Sequence, residues 1–281
     1  MSDQRQRAET FQRLHRGGEL LLLPNIWDPL GALLLADLGF PAVATASAAI
    51  AYSNGYADGE QIPFSQVTRL VGAITARVDV PVSADIESGY ARNLDQLAEN
   101  IRLLVGTGIA GINIEDTDAQ SDELLPVEVQ CRRIETIRRI ADEMGVPLFI
   151  NARTDVFIEG VFPGSPDDRL REALSRAASY QASGANGFYP ILLGDANAIR
   201  EIVSRVSLPV NILLFKGCPP MAELQQAGVA RISTGPGFLR MAVKAMQHTA
   251  RNFRNASMMQ EIADNEVTSS YLQKLVSKGP R

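Results

Sequence analysis

Asp85 and Glu87 stand two residues apart in the run Ser83-Ala84-Asp85-Ile86-Glu87-Ser88-Gly89-Tyr90. Side chains two apart on an extended strand share a face, so this spacing is expected to set two carboxylates side by side. Glu115 ends a second apolar run, Gly111-Ile112-Asn113-Ile114-Glu115, and Arg153 lies in a third, Asn151-Ala152-Arg153-Thr154-Asp155. Three carboxylates at one rim repel one another unless a cation sits between them. A hard divalent ion that keeps water ligands, magnesium or manganese, suits such oxygen donors. Arg153 adds a planar fork for a substrate carboxylate or phosphonate. Each of these residues alone has a structural reading: a strand-end acid caps the next helix, and a strand-end arginine is an ion-pair partner. The set of four on neighbouring strands points to metal-assisted chemistry. Asp116, Asp118 and Asp155 read as loop structure, and Asp28, before Pro29, as a helix cap.

Composition narrows the chemistry further. The chain has 281 residues, 46% hydrophobic and 21% charged, with a formal net charge of -5. Such a balance is that of a globular protein, and with no long basic run it argues against a nucleic-acid partner. No apolar stretch is long enough for a membrane span, and the polar first sixteen residues do not read as a signal peptide. The two cysteines, Cys131 and Cys218, lie far apart, which suits free thiols in a reducing compartment, the cytoplasm. Only Lys216, Lys244, Lys274 and Lys278 are lysines, and His15 and His248 are the two histidines. A Schiff-base lysine on the first six strands and a histidine-rich zinc site are thereby excluded, leaving carboxylates to hold any metal.

The elements that must carry these residues follow one rhythm. Apolar, β-branched runs fall at 20–26, 42–47, 80–86, 111–115, 147–153, 187–191, 209–214 and 231–234. Helical patterns separate them, at 29–38, 64–78, 93–105, 127–143, 166–183, 196–206 and 219–226, with further helices at 237–253 and 265–276. Glycine stops several helices, as in Met144-Gly145-Val146-Pro147 and Ala227-Gly228. Eight strand–helix units imply an α/β fold, a (β/α)8 TIM barrel, whose chemistry sits at the C-terminal strand ends. An open doubly wound sheet is the alternative, but Ile26-Trp27-Asp28-Pro29 cannot serve as its phosphate turn. Residues 1–281 read as a single domain. Residues 255–281 exceed what the barrel needs and are expected as a helical extension, packed either on their own barrel or at a subunit interface.

In this order and spacing the strand ends resemble the isocitrate lyase / phosphoenolpyruvate mutase superfamily. The resemblance rests on Asp85 to Tyr90, Ile114-Glu115-Asp116 and Asn151 to Asp155, and covers roughly residues 10–255. Pro24-Asn25-Ile26-Trp27-Asp28 and Asn211-Ile212-Leu213-Leu214-Phe215 fit the same pattern. It implies a magnesium- or manganese-dependent enzyme acting on a 2-oxo or 2-hydroxy acid through an enolpyruvate-type intermediate. It further implies Asp85 as metal ligand, joined by Glu87 and Glu115 directly or through water and by Asp58 of Tyr56-Ala57-Asp58-Gly59. The backbone amides of Ala46, Ser47 and Ala48 would hold the substrate carboxylate. Arg153 would grip the substrate and stabilise developing negative charge, with Glu115 also at the reacting centre, and Asn211 and Tyr189 would be polar substrate contacts. A homo-oligomer, tetramer or dimer, is likewise implied.

The chain departs from that pattern in the loop after the fourth strand. It reads Thr117-Asp118-Ala119-Gln120-Ser121-Asp122-Glu123-Leu124-Leu125 and lacks the Lys-x-Cys-Gly-His segment of isocitrate and methylisocitrate lyases. The Lys and Asn of phosphonopyruvate-processing members are missing there too. After the sixth strand Tyr189-Pro190 replaces a lyase glutamate. Cys218, Tyr189, Lys216 and Ser47 are the remaining candidates for proton transfer. The leading expectation is a magnesium-dependent lyase cleaving a C–C bond of a small carboxylic acid. The alternatives are C–P bond chemistry, a barrel that keeps the metal site without lyase activity, and a sugar-phosphate enzyme using Ser233-Thr234-Gly235-Pro236-Gly237 as a phosphate cradle.

Overall fold

Pro24 divides the first apolar run into β1 (Leu21–Leu23) and β2 (Asn25–Ile26), because a proline nitrogen donates nothing to a strand ladder. In this computed structural model, which describes residues 2–16, 18–254 and 258–277, every strand pairing is parallel. The strands β2, β3 (Val43–Thr45), β4 (Val82–Asp85), β5 (Gly111–Ile114), β6 (Phe149–Thr154) and β7 (Gly187–Pro190) pair in chain order, and β1 pairs with β9 (Arg231–Ser233), which pairs with β8 (Asn211–Leu213). A bridge between Phe188 and Val210 joins the two sets on one side, and the break at Pro24 joins them on the other. Asn25 stitches that second seam. Its Oδ1 accepts the amides of Thr234 (2.8 Å) and Gly235 (3.1 Å), and its Nδ2 donates to the Thr45 carbonyl at 2.7 Å. The result is the expected closed barrel of eight strand positions rather than an open sheet.

Helices cover the barrel because their apolar stripes recur at helical spacing. They are α2 (Pro29–Asp37), α4 (Phe64–Thr75), α5 (Leu94–Val105), α6 (Val127–Glu143), α7 (Pro166–Ala182), α8 (Ala196–Arg205) and α9 (Met221–Gln226). Asp28 caps α2 by accepting the Gly31 amide at 2.7 Å, as expected. Two helices were not anticipated, α1 (Ser2–Leu14) and the short α3 (Ser47–Ser53), while α11 (Met259–Ala263) falls within the helical extension expected over 255–281. Phe11 of α1 packs edge-on to Phe149, and His15, just past α1, stacks on the same ring at 4.0 Å, closing the barrel at the starts of β5 and β6. Gly111 is glycine for that reason: a Cβ there would meet the Phe11 ring at 2.8 Å and the Phe149 carbonyl at 2.9 Å. Burial first, then the nearby Arg231 charge, push His15 down to about 3, so the ring is neutral.

The last helices are α10 (Gly237–Phe253) and α12 (Ser269–Ser277). α12 lies on α2 of the same chain, with Leu275 buried beside Leu33, Ile74 and Val78. α10 buries none of its residues. Among the described residues no helix is long and apolar enough to cross a membrane.

Candidate active site

β4, β5 and β6 lie side by side, in register Asp85–Asn113–Asn151, and their C-terminal ends carry the candidate chemistry. Arg153 is the centre of it. Its Nη1 meets Glu115 Oε2 at 2.6 Å, its Nε meets Asp155 Oδ1 at 2.6 Å, and its Nη2 donates to Asp155 Oδ2 at 3.1 Å. The guanidinium is thus held side-on by Asp155 and end-on by Glu115, with little solvent on any of the three side chains. Burial works against its charge, but Glu115 and Asp155, then Tyr189 and Asp85, keep it protonated well above the usual arginine range. Burial, with Asp155, Asp85 and Glu87 adding to it, pushes the Glu115 carboxyl upward, and Arg153 opposes that shift.

Asp85 ends β4. Its Oδ2 accepts the Ser47 amide at 3.1 Å and the Ser47 hydroxyl at 2.9 Å. The amides of Ala46, Ser47 and Ala48 were expected to face a substrate carboxylate. Instead Ser47, at the start of α3, is committed to Asp85, and Ala46 continues the β2–β3 ladder by donating to the Ile26 carbonyl at 3.3 Å. Ala48 follows in the first turn of α3.

Asp85 and Glu87 do not share a strand face, contrary to the two-residue expectation. β4 stops at Asp85, and Glu87 adopts a left-handed backbone with φ 51°, so strand alternation no longer governs its direction. Its Oε1 accepts the Tyr90 hydroxyl at 2.6 Å and its Oε2 the Glu60 amide at 2.6 Å. Even so, its carboxyl is pushed up to about 7, first by burial, against the Tyr90 bond, and further by Asp85 and Asp58. Asp58, on an exposed turn, is raised by desolvation and then by Asp85. The four acids therefore feel one another's charge. Among the described residues no three His, Cys, Asp or Glu side chains stand close enough to cage a metal ion. The donor set still fits a hard ion that keeps most of its water shell and touches one or two carboxylates, since such an ion would relieve the mutual repulsion that adds to burial in lifting Asp58, Glu87 and Glu115.

Tyr189 pairs in register with Arg153 on the inner wall. Burial lifts its phenol to about 12, against the Arg153 charge and a bond with Ser233, so it carries its proton at neutral pH. Asn211, buried at the start of β8, donates to Ser233 Oγ at 3.1 Å, and its Oδ1 is buried without a partner. Lys216 and Cys218 lie in the loop beyond β8. The cradle amides of Thr234 and Gly235 are taken by Asn25, which removes the basis for the sugar-phosphate reading.

Sequence reasoning missed Asp155, Glu60 and Arg231 as parts of the site. Asp155, read as loop structure, holds Arg153. Arg231 is wholly buried at the start of β9, donates to Asn113 Oδ1 at 3.2 Å, and is pushed down to about 10 by burial. An arginine opening an otherwise apolar strand was the available signal for it. Asp116 is structural, as read: it accepts Tyr180 Oη at 2.7 Å, Arg176 Nη1 at 3.1 Å and the Asp155 amide at 2.9 Å.

A family model described as phosphoenolpyruvate phosphomutase matches residues 11–254. An uncharacterized protein of Mycobacterium tuberculosis is 32% identical over 242 residues, covering 86% of this chain and 88% of its own. Oxaloacetate decarboxylase 1 of Pseudomonas fluorescens is 27% identical over 262 residues, covering 89% and 86%. The crystal structure of a proposed phosphonomutase from Burkholderia cenocepacia is 36% identical, with a TM-score of 0.85, covering 89% of this chain and 99% of that one.

Proposed function

We propose, from the premise that the chain belongs to the phosphoenolpyruvate phosphomutase family within the isocitrate lyase / phosphoenolpyruvate mutase superfamily, that it is a magnesium-dependent lyase. It would cleave a C–C bond of a small 2-oxo or 2-hydroxy carboxylic acid. The observation that carries this reading is Arg153, fixed by Asp155 and facing Glu115 beside Asp85 at the mouth of the barrel. A guanidinium so placed can grip a carboxylate and hold the negative charge that a 2-oxo acid gathers on its oxygen as the bond at C3 breaks. Fixing costs nothing at the moment of reaction because Asp155 already sets the fork. To reach the substrate, Nη1 must exchange Glu115 for the substrate carboxylate.

Asp85, with Glu87, Glu115 and Asp58 through water, would hold the magnesium or manganese ion, whose part when bound is Lewis-acid polarisation of the 2-oxo group. Tyr189, neutral at pH 7 and beside Arg153, would supply the proton that an enolate takes up at C3. The likeness to oxaloacetate decarboxylase makes oxaloacetate the first substrate to try. The likeness to a proposed phosphonomutase keeps phosphonopyruvate as the second. The two are separated by incubating the protein with each acid and Mg²⁺ and measuring pyruvate. Pyruvate from oxaloacetate above a protein-free control supports C–C cleavage by decarboxylation, pyruvate from phosphonopyruvate alone moves the reading to C–P hydrolysis, and pyruvate from neither removes those two reactions.

A further inference from the structure

Two loops at the mouth of the barrel exchange carboxylates. Glu87, just past β4, accepts the Glu60 amide at 2.6 Å. Glu60 in return accepts the Ser88 hydroxyl at 2.7 Å and the Tyr90 amide at 2.7 Å, both on Oε1. The two sides of this exchange differ in firmness. The 88–90 turn is tied to two helices: Asn100 of α5 donates to the carbonyls of Gly89 (3.1 Å) and Tyr90 (2.9 Å), and Arg133 of α6 donates to the Ser88 carbonyl. The 57–61 segment has no such support. Among the described residues its bonds to the rest of the molecule are those of Glu60, while Gln61 bonds back to Gly59 within the loop at 2.9 Å.

The backbone is bent to make the exchange. Gly59 (φ 88°) and Glu60 (φ 58°) are both left-handed, as are Glu87 (φ 51°), Gly89 (φ 99°) and Tyr90 (φ 54°). A side-chain-bearing residue pays for that conformation, and it persists where surrounding bonds over-determine it. Three such residues in one hydrogen-bonded cluster mark a place where position matters. Asp58 lies two residues from Glu60 and within reach of the Asp85 charge.

We propose that Glu60 is a positioning residue: its bonds to Ser88 and Tyr90, with its amide on Glu87, fasten the 57–61 loop to the end of β4 and so set Asp58 opposite Asp85. This rests on the reading of the site as a divalent-metal site. The test compares Glu60→Gln and Glu60→Ala in the full chain. Glutamine keeps an acceptor oxygen for Ser88 and Tyr90, and alanine removes it. In E60A, deuterium exchange over residues 57–61 rises roughly tenfold and Mn²⁺ titrated into the protein binds about ten- to a hundredfold more weakly. In E60Q both stay near wild type. Exchange or Mn²⁺ affinity unchanged in E60A overturns the proposal, as does equal loss in E60Q and E60A. If E60A is insoluble, Ser88→Ala, which removes one of the two donors to Oε1, gives the same readouts in weaker form, and wild-type values there overturn the proposal. Wild-type protein that binds no Mn²⁺ overturns the metal reading of the site, and the exchange measurement then decides whether Glu60 fastens the loop.

Discussion

At the scale of the residue, Arg153 decides most. It neutralises two nearly buried carboxylates, and removing one partner of such a group strands the others. Arg153→Met is expected to destabilise the protein by about 3–5 kcal/mol and to lower turnover by about a hundredfold or more. Arg153→Lys keeps the charge but not the fork, so denaturant titration should show a smaller loss of stability while turnover falls as far. Full turnover in the lysine variant would mean that the bidentate grip on Asp155 is not used. Glu87 gives a pH dependence. Its folded value, about 7 against an ordinary 4.5, means that the folded state holds the proton more tightly than the unfolded one. Its ionisation therefore costs stability increasingly as pH rises from about 4.5 to 7, and the cost is complete above 7. In metal-free protein the melting temperature should fall by a few degrees across that window; Glu87→Gln should flatten the slope, and Mg²⁺ should offset it in wild type but not in Asp85→Ala. The placing of Asp85, Glu115 and Arg153 was legible in the sequence because each ends, lies within or directly follows a regular strand, where position follows from spacing. Glu87, Glu60 and Asp155 were misjudged or missed because their directions come from left-handed turns and from bonds between loops distant in sequence, which spacing does not encode.

At the scale of the element, the strands and most helices were readable because a parallel barrel strand is buried on both faces and writes itself as an apolar run. Several helix boundaries followed from glycine stops and from the Asp28 cap, whereas the Ser165 capping box that starts α7 was not read. The split of the first strand at Pro24, the short α3 and the N-terminal α1 were not readable in the same way. α1 has a low mean hydropathy and buries little beyond Ala8 and Phe11, so its docking against β5 and β6 depends on two side chains and on Gln4 and Gln12 bonding to strand-flanking carbonyls. One element has a testable anchor. Arg176 and Tyr180 of α7 bind Asp116 at the end of β5, and Asp116 also holds the Asp155 amide. The pair is buried on both sides. Arg176→Met leaves Asp116 without its cation and should cost about 3–5 kcal/mol, whereas Glu172→Ala, which breaks the partly exposed second partner of Arg176, should cost about 1 kcal/mol or less. Equal unfolding midpoints for the two variants would show that Asp116 does not tie α7 to the site.

At the scale of the whole molecule, the helical layer is incomplete. α10 is an amphipathic helix of 17 residues that buries none of them, leaving Phe238, Met241, Val243, Met246 and Phe253 exposed. The outer face of β1 is also bare: Leu22 is 42% exposed, and with Leu38 at the end of α2, 64% exposed, it lines a groove of about 310 Å³ together with Leu14, Leu20 and Phe40. A barrel strand of this kind ordinarily has a helix over it, and α12 lies instead on α2. Among the described residues these are two exposed apolar faces, one a helix and the other a groove, and they suit a reciprocal contact between two copies. The homo-oligomer that the family resemblance implies is therefore expected to form through α10. Sedimentation should give a mass that is a multiple of the 30.5 kDa chain. Met241→Glu combined with Met246→Glu should return it to a single chain, because charges at the centre of the apolar face cannot be buried unpaired. The same pair of changes should leave the unfolding midpoint of the separated chain unchanged, since both side chains are already in solvent in the single chain. A wild-type mass of 30.5 kDa at micromolar concentration, or a variant that stays associated, would place the contact elsewhere or remove it.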